Sequence, residues 1–464
     1  MKPRDHIPQE EMFPFVEMEK LVPDNHILRL IDRYVDFSFI HELTDHTYSE
    51  VTGRPAVDPE LMIRILVIGY LNNLSERKLF EELRMHAAYR WFCNLGFYES
   101  TPDRSTLNKL RNHRWTRDGI FERIMQRIVR QCVEAGLVKG GHVTVDGTKI
   151  EANASIKSLE PVEIEVALDD YLGELRLKRS KHSPRDDATH LHDKDFHGET
   201  FSNATHRSTT DPDARLFKKA EGQEASLSYV GNVLIDTKSR VILATAVTQP
   251  GITTESDAAL AILDALPDTH QVTTLAADKG YGNTEFVTEM LDRGITPHVP
   301  LLAKSDYEPT PSWKTAARSL ERKEKRAKKI KQVSARNRVR DINATVSYKQ
   351  SQHNRKRIEH IFAEAKNYHG LDRARGRRLQ AVSQQLTMTG VVQNCKRLVN
   401  FRLRLDRKAS ETLLLGQNAL SNTLLSLSIG LVRLMQHFKS FLRPLSCKFS
   451  TDVSFFKATF SPDF

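Results

Sequence analysis

The chain has 464 residues, of which 39% are hydrophobic and 28% are charged, a balance that excludes both disorder throughout and a small disulfide-stapled scaffold. The formal charge is +10 at pH 7 and the isoelectric point is about 9.3. This basic excess favours a polyanionic partner, with nucleic acid first, although a basic face can also be merely solvated or bind anionic lipid.

The sequence carries no signal for an oxidising compartment or a membrane. The four cysteines form no CxxC pair, so neither a zinc knuckle nor a disulfide framework is indicated. The N-terminus lacks the apolar run of a secretory signal, and no uninterrupted apolar segment is long enough to span a bilayer. We therefore expect a cytoplasmic protein without a membrane partner.

Helical patterns dominate residues 1–120, which we predict to be an all-α N-terminal domain that binds DNA. The predicted helices begin at Asp58 and Pro59, run from Ser75 to Met85, and run from Ser105 to Trp115. The third of these carries Lys109, Arg111 and Arg114. Short helices of which the last is basic are compatible with a helix-turn-helix DNA reader, and a helical bundle with a charged outer face fits equally well.

Residues 135–400 alternate between strand and helix patterns and predict an α/β catalytic domain. Three hairpin-joined strands followed by strand-helix alternation imply a mixed sheet covered by helices. In chain order we predict strands His142–Asp146, Ser228–Asp236 and Arg240–Thr248, helix Glu255–Leu266, strand Gln271–Asp278, helix Thr284–Arg293, strand Thr296–Leu301 and a long helix that ends at Gly370.

Two polar insertions interrupt this domain, at about residues 156–217 and 305–346. The first predicts a helical excursion followed by a loop. The second contains Lys325, Lys328 and Lys329 in a basic run with almost no apolar period, which indicates a solvated or disordered arm, a phosphate-tracking arm, or both. Residues 401–464 are predicted to be a helical or partly disordered C-terminal tail, in which Leu413 to Met435 forms an amphipathic or core helix.

Three acidic residues, Asp146, Asp278 and Glu359, stand where packing alone does not explain them. The two aspartates each end a predicted apolar strand, and ligands gather at the carboxyl ends of strands in open α/β sheets. Either aspartate alone has an ordinary explanation as a turn or helix-cap residue. Glu359 lies at the rim of an apolar helix stripe between Arg355 and Lys366, where the ordinary explanation is a surface ladder of ion pairs.

Taken together, the three carboxylates match the needs of phosphodiester chemistry. Hydrolysis or transfer requires an attacking oxygen, a stabilised leaving oxygen and a neutralised phosphoryl group, which two Mg²⁺ ions about 4 Å apart supply. Such hard cations take oxygen ligands, so Asp and Glu fit where Cys and His do not. Carboxylates held close together also repel one another, and this repulsion raises the pKa of at least one of them.

These residues resemble the DDE transposases of bacterial insertion sequences, in the group whose third acidic motif is Tyr, Arg, Glu and Lys at fixed gaps. Arg355, Glu359 and Lys366 match the last three members by spacing, whereas Gln352 stands at the Tyr position. The resemblance extends from about Pro14 to Arg404 through the ordered segments VDPELMIRILVIGYLNNL, PDRSTLNKLRNHR, STTDPDARLFKK, ADKGYGN and YHGLDRARGRRLQAV.

The resemblance implies a ribonuclease H-like mixed sheet flanked by helices and a metal-dependent reaction that cleaves DNA at transposon ends and transfers the strand. It also implies that Asp146, Asp278 and Glu359 bind two Mg²⁺ ions, for which Mn²⁺ can substitute, and that Arg355 and Lys366 contact DNA. The implied partners are double-stranded DNA, terminal inverted repeats and further copies of the chain. A DNA-binding regulator or a nonspecific nuclease derived from such a transposase is the alternative.

Other polar and aromatic residues compete with this set. A turn is favoured for Asp211 and Asp213, which flank Pro212, with Asp213 and Arg215 as a local pair. A loop is favoured over a transition-metal site for the polar group His190, His192, Asp193, Asp195 and His197. The core is favoured over base stacking for Trp91, Phe92 and Trp115.

Overall fold

Helices make up the N-terminal part of the chain. The structure, a computed structural model, describes residues 18–48, 56–162, 201–218, 224–267, 271–301 and 320–442. Before the sheet lie α1 (Met18–Leu21), α2 (Ile27–Tyr34), α3 (Phe39–Thr44), α4 (Pro59–Leu71), α5 (Glu76–Met85), α6 (Ala87–Phe92), α7 (Arg104–Lys109), a π-helical turn (Leu110–Trp115) and α8 (Ile120–Glu134). The predicted all-α N-terminal region is confirmed.

Side-chain caps start two of these helices as predicted. Asp58 accepts a hydrogen bond from the Glu60 N–H at 2.9 Å, and Ser75 accepts one from the Lys78 N–H at 3.4 Å. Every residue of α4 from Met62 to Tyr70 is buried. This helix is therefore covered on all sides and lies in the centre of the N-terminal core.

A mixed sheet forms the second part of the fold. Its strands are β1 (Gly141–Glu151), β4 (Arg215–Phe217), β5 (Ser226–Asp236), β6 (Ile242–Thr248), β7 (Val272–Ala276) and β8 (Thr296–His298), while β2 (Leu159–Pro161) and β3 (His206–Ser208) pair separately. The order is β4-β5-β1-β7-β8, and β6 pairs with the same edge of β5 as β4 does. Strand β1 is antiparallel to β5 and parallel to β7, which is parallel to β8.

Helices cover this sheet and complete the fold. They are α9 (Glu255–Asp264), α10 (Thr284–Asp292), α11 (Leu320–Asn343), α12 (Val346–Arg355), α13 (Arg357–His369) and α14 (Arg378–Leu442). The predicted mixed sheet flanked by helices is confirmed. The first part of α14 lies against β6, because Asn394 accepts the Ile242 N–H at 2.9 Å and donates to the Ile242 carbonyl at 2.8 Å.

Strand β1 is longer than predicted, and the prediction that it ends at Asp146 was wrong. The strand continues through Gly147 to Glu151, and Asp146 pairs opposite Val233 of β5 in the middle of the ladder. The physical reason is that Thr148 and Ile150 are buried and extend the alternation beyond the glycine. Gly147 is therefore a strand residue rather than a turn.

The single long helix predicted to end at Gly370 is also wrong, because it is divided into α11, α12 and α13. Thr345 caps α12 by accepting the Tyr348 N–H at 3.2 Å, so a new helix starts there. Lys356 separates α12 from α13. The predicted stop at Gly370 is confirmed, since this glycine has a φ of 68° at the C-cap of α13.

The basic run in the second insertion is helical in its described part. Its residues from Leu320 onward form α11, which buries Val333, Ala335 and Val339. Lys331 forms an ion pair with Asp292 of α10 at 2.5 Å. A weak apolar pattern is therefore enough to hold this segment as a packed helix rather than a disordered arm.

The chain divides into two units, Met1–Phe401 and Arg402–Phe464. In the second unit, the described residues are helical, as predicted, and Leu413, Leu427 and Met435 are exposed. Among the described helices, none is long and apolar enough to cross a membrane.

Candidate active site

Asp146 occupies the point at which β1 loses one of its two neighbours. The parallel pairing between β1 and β7 ends with Thr144 opposite Ala276, whereas the pairing with β5 continues to Glu151. Beyond Thr144 this edge of β1 has no paired strand until Glu151, which bridges Arg373, so a gap is left at the carboxyl end of β7. The Asp146 carboxylate accepts a hydrogen bond from the Gly147 N–H at 2.8 Å, which fixes it at this edge.

Asp278 follows β7 at the same edge of the sheet. Its carboxylate accepts the Gly280 N–H at 2.8 Å and so starts the short 3₁₀ turn Lys279–Tyr281. The side-chain amide of Gln352 donates to the Ala277 carbonyl at 3.2 Å and to the His298 carbonyl at 2.5 Å. The residue at the Tyr position of the signature thus holds together the ends of β7 and β8 next to Asp278.

Glu359 lies in the first turn of α13, whose buried face is the predicted stripe Ile358, Ile361, Phe362 and Ala365. Glu359 was predicted to lie at the rim of this stripe, and its side chain is exposed. Arg355 reaches the Asp146 carboxylate at 3.4 Å, and Lys366 donates to the Lys149 carbonyl of β1 at 3.0 Å. The two cations that flank Glu359 in sequence therefore both contact β1.

The charges of the other two acids act on the Asp146 carboxylate. Burial raises the pKa of the Asp146 carboxyl to about 6, a hydrogen bond from Gly147 opposes this, and the charges of Asp278 and Glu359 raise it further. In the part of the chain that is described, no three His, Cys, Asp or Glu side chains lie close enough to hold one metal ion as placed. The acids are thus electrostatically coupled without being drawn around a common point.

A fourth acid, Glu255, belongs to the same edge and was not predicted. A Cβ on Gly280 would lie 3.1 Å from Asp278 Oδ1 and 3.2 Å from Glu255 Oε2. Desolvation, and then the charges of Asp278 and Asp146, raise the pKa of the Glu255 carboxyl. The strand directions contain the signal that was missed, because β6 runs parallel to β1 and its following helix, α9, must begin at the carboxyl edge.

The other proposed DNA contacts lie on two helical segments away from these acids. Lys109 is exposed, whereas Arg114 lies over the Tyr48 ring at 4.8 Å. Arg111 forms an ion pair with Glu76, so its charge is partly neutralised within the protein. The three lysines proposed on α11 all have exposed side chains: Lys325, Lys328 and Lys329.

The competing aspartates have structural roles. Asp211 is fully buried and accepts hydrogen bonds from the Tyr229 hydroxyl at 2.7 Å and the Arg378 N–H at 2.9 Å. Asp213 accepts the Leu379 N–H at 3.0 Å, so both aspartates cap the start of α14. The predicted pair of Asp213 and Arg215 was wrong, because the Arg215 guanidinium donates to the carbonyls of Pro212 and Ala214.

The other candidates from the sequence are three aromatic residues and one polar group. Phe92 and Trp115 are buried, as predicted. Trp91 is only half-buried, because its Nε1–H donates to Glu19 at 2.5 Å near the surface. The polar group from His190 to His197 lies outside the described residues.

Comparison with known proteins identifies the family. Residues 16–113 match the model of a transposase domain (DUF772), and residues 200–395 match the model of a transposase DDE domain. The chain belongs to the DDE transposases. The predicted family is confirmed. Asp278 and Glu359 lie within the matched DDE domain, whereas Asp146 lies between the two matched segments.

One solved structure is also similar to this transposase. It is the cryo-EM structure of the piggyBac transposase synaptic complex with hairpin DNA, matched at 10% identity with a TM-score of 0.26. The match covers 63% of this chain and 53% of that one. The transposase therefore spans about half the length of the chain that it matches.

Proposed function

We propose that this transposase binds the terminal inverted repeats of its insertion sequence and catalyses metal-dependent DNA cleavage and strand transfer. The observation that carries the proposal is the half-buried carboxylate of Asp146, which lies 3.4 Å from Arg355 at the sheet edge and is acted on by the charges of Asp278 and Glu359. Three coupled carboxylates beside cationic side chains favour a site for divalent cations and phosphate. The expected setting is the bacterial cytoplasm, on nucleoid DNA.

The donor atoms at this edge fit a hard divalent cation. All three proposed ligands are carboxylates, and glycines at 147 and 280 leave open the space that a Cβ would fill beside them. Asp146, Asp278 and Glu359 would hold two Mg²⁺ ions, for which Mn²⁺ can substitute. When bound, such ions activate the attacking oxygen and neutralise charge on the phosphoryl group.

The chain's own cations would orient the DNA strand. Arg355, at 3.4 Å from Asp146, holds this carboxylate and places a guanidinium where a phosphate next to the site would lie. Lys366, in the last turn of α13, would contact the same DNA strand farther along its backbone. Because Arg355 and Lys366 both contact β1, the phosphate backbone would lie along the edge that bears Asp146.

More distant basic groups would bind the element end outside the reacting phosphate. These are the N-terminal set Lys109, Arg111 and Arg114, and the α11 set Lys325, Lys328 and Lys329. In this proposal residues 1–120 form the DNA-binding domain, and residues 135–400 form the catalytic domain with insertions at about 156–217 and 305–346. Residues 401–464 form the tail, and copies of the chain assemble on paired ends.

The proposal is tested with labelled duplexes that carry the element ends, incubated with the transposase and Mg²⁺. We expect nicking at the ends and joined products with the wild type, and a loss of at least about 10³-fold with Asp146→Asn. Asp292→Asn on α10 is a matched control, because it removes a surface carboxylate whose ion-pair partner is Lys331 rather than a residue of the site. Nicking by Asp146→Asn at the wild-type rate would refute the proposed site.

Glu359→Gln separates binding from chemistry, since it removes the charge and keeps the shape. We expect unchanged affinity for the element end and no cleavage. Tight binding by the wild type without cleavage at any metal concentration would indicate a regulator instead. Digestion of unrelated duplexes without joined products would indicate a nonspecific nuclease.

A further inference from the structure

We infer that Glu255 is a fourth carboxylate of the proposed metal site, and that it lies between Asp146 and Asp278. The inference rests on the proposed function, because it assigns a further ligand to the same ions. Glu255 is the first residue of α9, directly after its N-cap Thr254. Its side chain keeps part of its surface exposed to solvent.

The positions of two glycines locate the Glu255 carboxylate. A Cβ on Gly147 would lie 3.5 Å from Glu255 Oε1, and a Cβ on Gly280 would lie 3.2 Å from Glu255 Oε2. The Cβ position on Gly280 also lies 3.1 Å from Asp278 Oδ1. Glu255 Oε2 and Asp278 Oδ1 therefore cannot be farther apart than the sum of their two distances from this position. The Glu255 carboxylate therefore lies between Gly147, which follows Asp146, and Gly280, in the turn that follows Asp278.

Two buried polar atoms without hydrogen-bond partners in the described part of the chain belong to residues that border this gap. Asn232 is fully buried, and its Oδ1 atom lies 3.3 Å from the Gly147 Cβ position, next to Glu255 Oε1. Tyr281, which closes the turn capped by Asp278, is fully buried, and its hydroxyl has no hydrogen-bond partner among the described residues. An acceptor and a hydroxyl left unpaired beside carboxylates are the groups that an ion and its bound water would satisfy.

An ordinary role as an acidic residue at a helix start does not explain this orientation. Glu285 has the ordinary role, because it lies in the first turn of α10, is exposed, and has Lys328 at 3.9 Å. Glu255 instead faces two aspartates, and within the described residues it forms no ion pair. Like charges brought this close disfavour the ionised state unless a cation lies among them.

The test is a titration of the full-length transposase with Mn²⁺ alone, without DNA, followed by the loss of the free-ion EPR signal. The variants are Glu255→Gln and Asp146→Asn, with Glu285→Gln as the control that removes an acid from the first turn of another helix. We expect Glu255→Gln to raise the Mn²⁺ dissociation constant by about tenfold or more, as loss of a group that supports a metal does. Glu285→Gln should bind as the wild type does.

Unfolding in urea with and without Mn²⁺ provides a second readout. We expect Glu255→Gln to be as stable as the wild type or more stable in EDTA, because a repulsion is removed, and to gain less from Mn²⁺. Weakened binding by Asp146→Asn with wild-type binding by Glu255→Gln would overturn this inference and leave the proposed function intact. Wild-type binding by Asp146→Asn would overturn the proposed metal site itself, and Glu255 with it.

A structural role for Glu255 predicts the opposite pattern. In that case Glu255→Gln would lose stability in EDTA and keep the full Mn²⁺ response, which would also overturn the inference. Glu255→Asp keeps the charge and shortens its reach by one methylene. We expect its Mn²⁺ dissociation constant to lie between those of the wild type and Glu255→Gln.

Discussion

Replacing Asp146 by asparagine should stabilise the transposase at neutral pH while it removes a proposed metal ligand. Burial raises the pKa of Asp146 from 3.8 to about 6, and repulsion by Asp278 and Glu359 acts in the same direction. The folded state therefore binds this proton more tightly than the unfolded chain does. The contribution of Asp146 to stability is greatest below pH 3.8 and is lost as pH rises through this window to about 6.

The size of the effect follows from the shift. At about 1.4 kcal/mol per pKa unit, the ionised carboxylate costs the folded state roughly 3 kcal/mol above pH 6. A neutral amide does not carry this cost, but it loses the attraction to Arg355 and part of the hydrogen bond from Gly147. We expect Asp146→Asn to be more stable than the wild type by about 1–3 kcal/mol at pH 8, with the difference small at pH 4.

Urea unfolding in EDTA at pH 4, 6 and 8 measures this difference. Asp24→Asn is the control, because its side chain is 92% exposed and its replacement should change stability by less than about 0.5 kcal/mol at each pH. Saturating Mn²⁺ should reverse the order, since only the wild type gains full binding free energy. An Asp146→Asn variant that is no more stable than the wild type at pH 8 would refute the reasoning about this carboxylate.

Three further substitutions test how the site is held. Glu364→Gln should lower the free energy of unfolding by about 2–3 kcal/mol at pH 7. Burial raises the pKa of Glu364, but contacts with His369, Arg397 and Lys396 outweigh it and lower the pKa to about 2. In acid unfolding, the stability that Glu364 contributes should be lost as pH falls from 4.5 through 2. Gln352→Ala should cost about 1–3 kcal/mol in urea, because two carbonyl groups lose their donor. Lys366→Ala should weaken binding of an element end and lower its salt slope by about 1, with the Mn²⁺ dissociation constant unchanged.

The main strands were predictable because they are apolar runs, and the helices because they have clear caps. The apolar runs that precede Asp236 and Asp278 predicted β5 and β7 with nearly the observed bounds. The end of β1 was not predictable from Gly147, because a glycine permits a turn but does not require one. Pairing with β5 decides the matter, and such pairing is a contact between segments far apart in the sequence.

The acids differ in how visible they are in the sequence. Asp278 is followed by Lys279, Gly280 and a turn, so its position at a strand end was apparent. Glu255 has no such mark, because a Glu after a Thr cap is common at any helix start. Only the direction of β6 places this helix start at the carboxyl edge, and the direction follows from the antiparallel ladders of β5 with β1 and β6.

The position of Glu359 depends on two anchors with the break at Lys356 between them. Helix α12 is held on one side of the break, where Ser351 contacts the His142 ring at 2.7 Å and Gln352 binds the ends of β7 and β8. Helix α13 is held on the other side, where Glu364 accepts hydrogen bonds from Lys396 and Arg397 of α14.

Glu359 lies just after the break, so loosening either anchor should change the distance between Glu359 and Asp146. The distance between Asp278 and Asp146 should change less, because Asp278 is fixed by the turn that it caps. Gln352→Ala and Glu364→Gln act on opposite sides of the break, and both should therefore lower cleavage beyond their effect on stability. Glu359 is exposed, and burial does not hold it in place. Its placement is thus a property of the two helices, and it can respond to a strand that binds along β1.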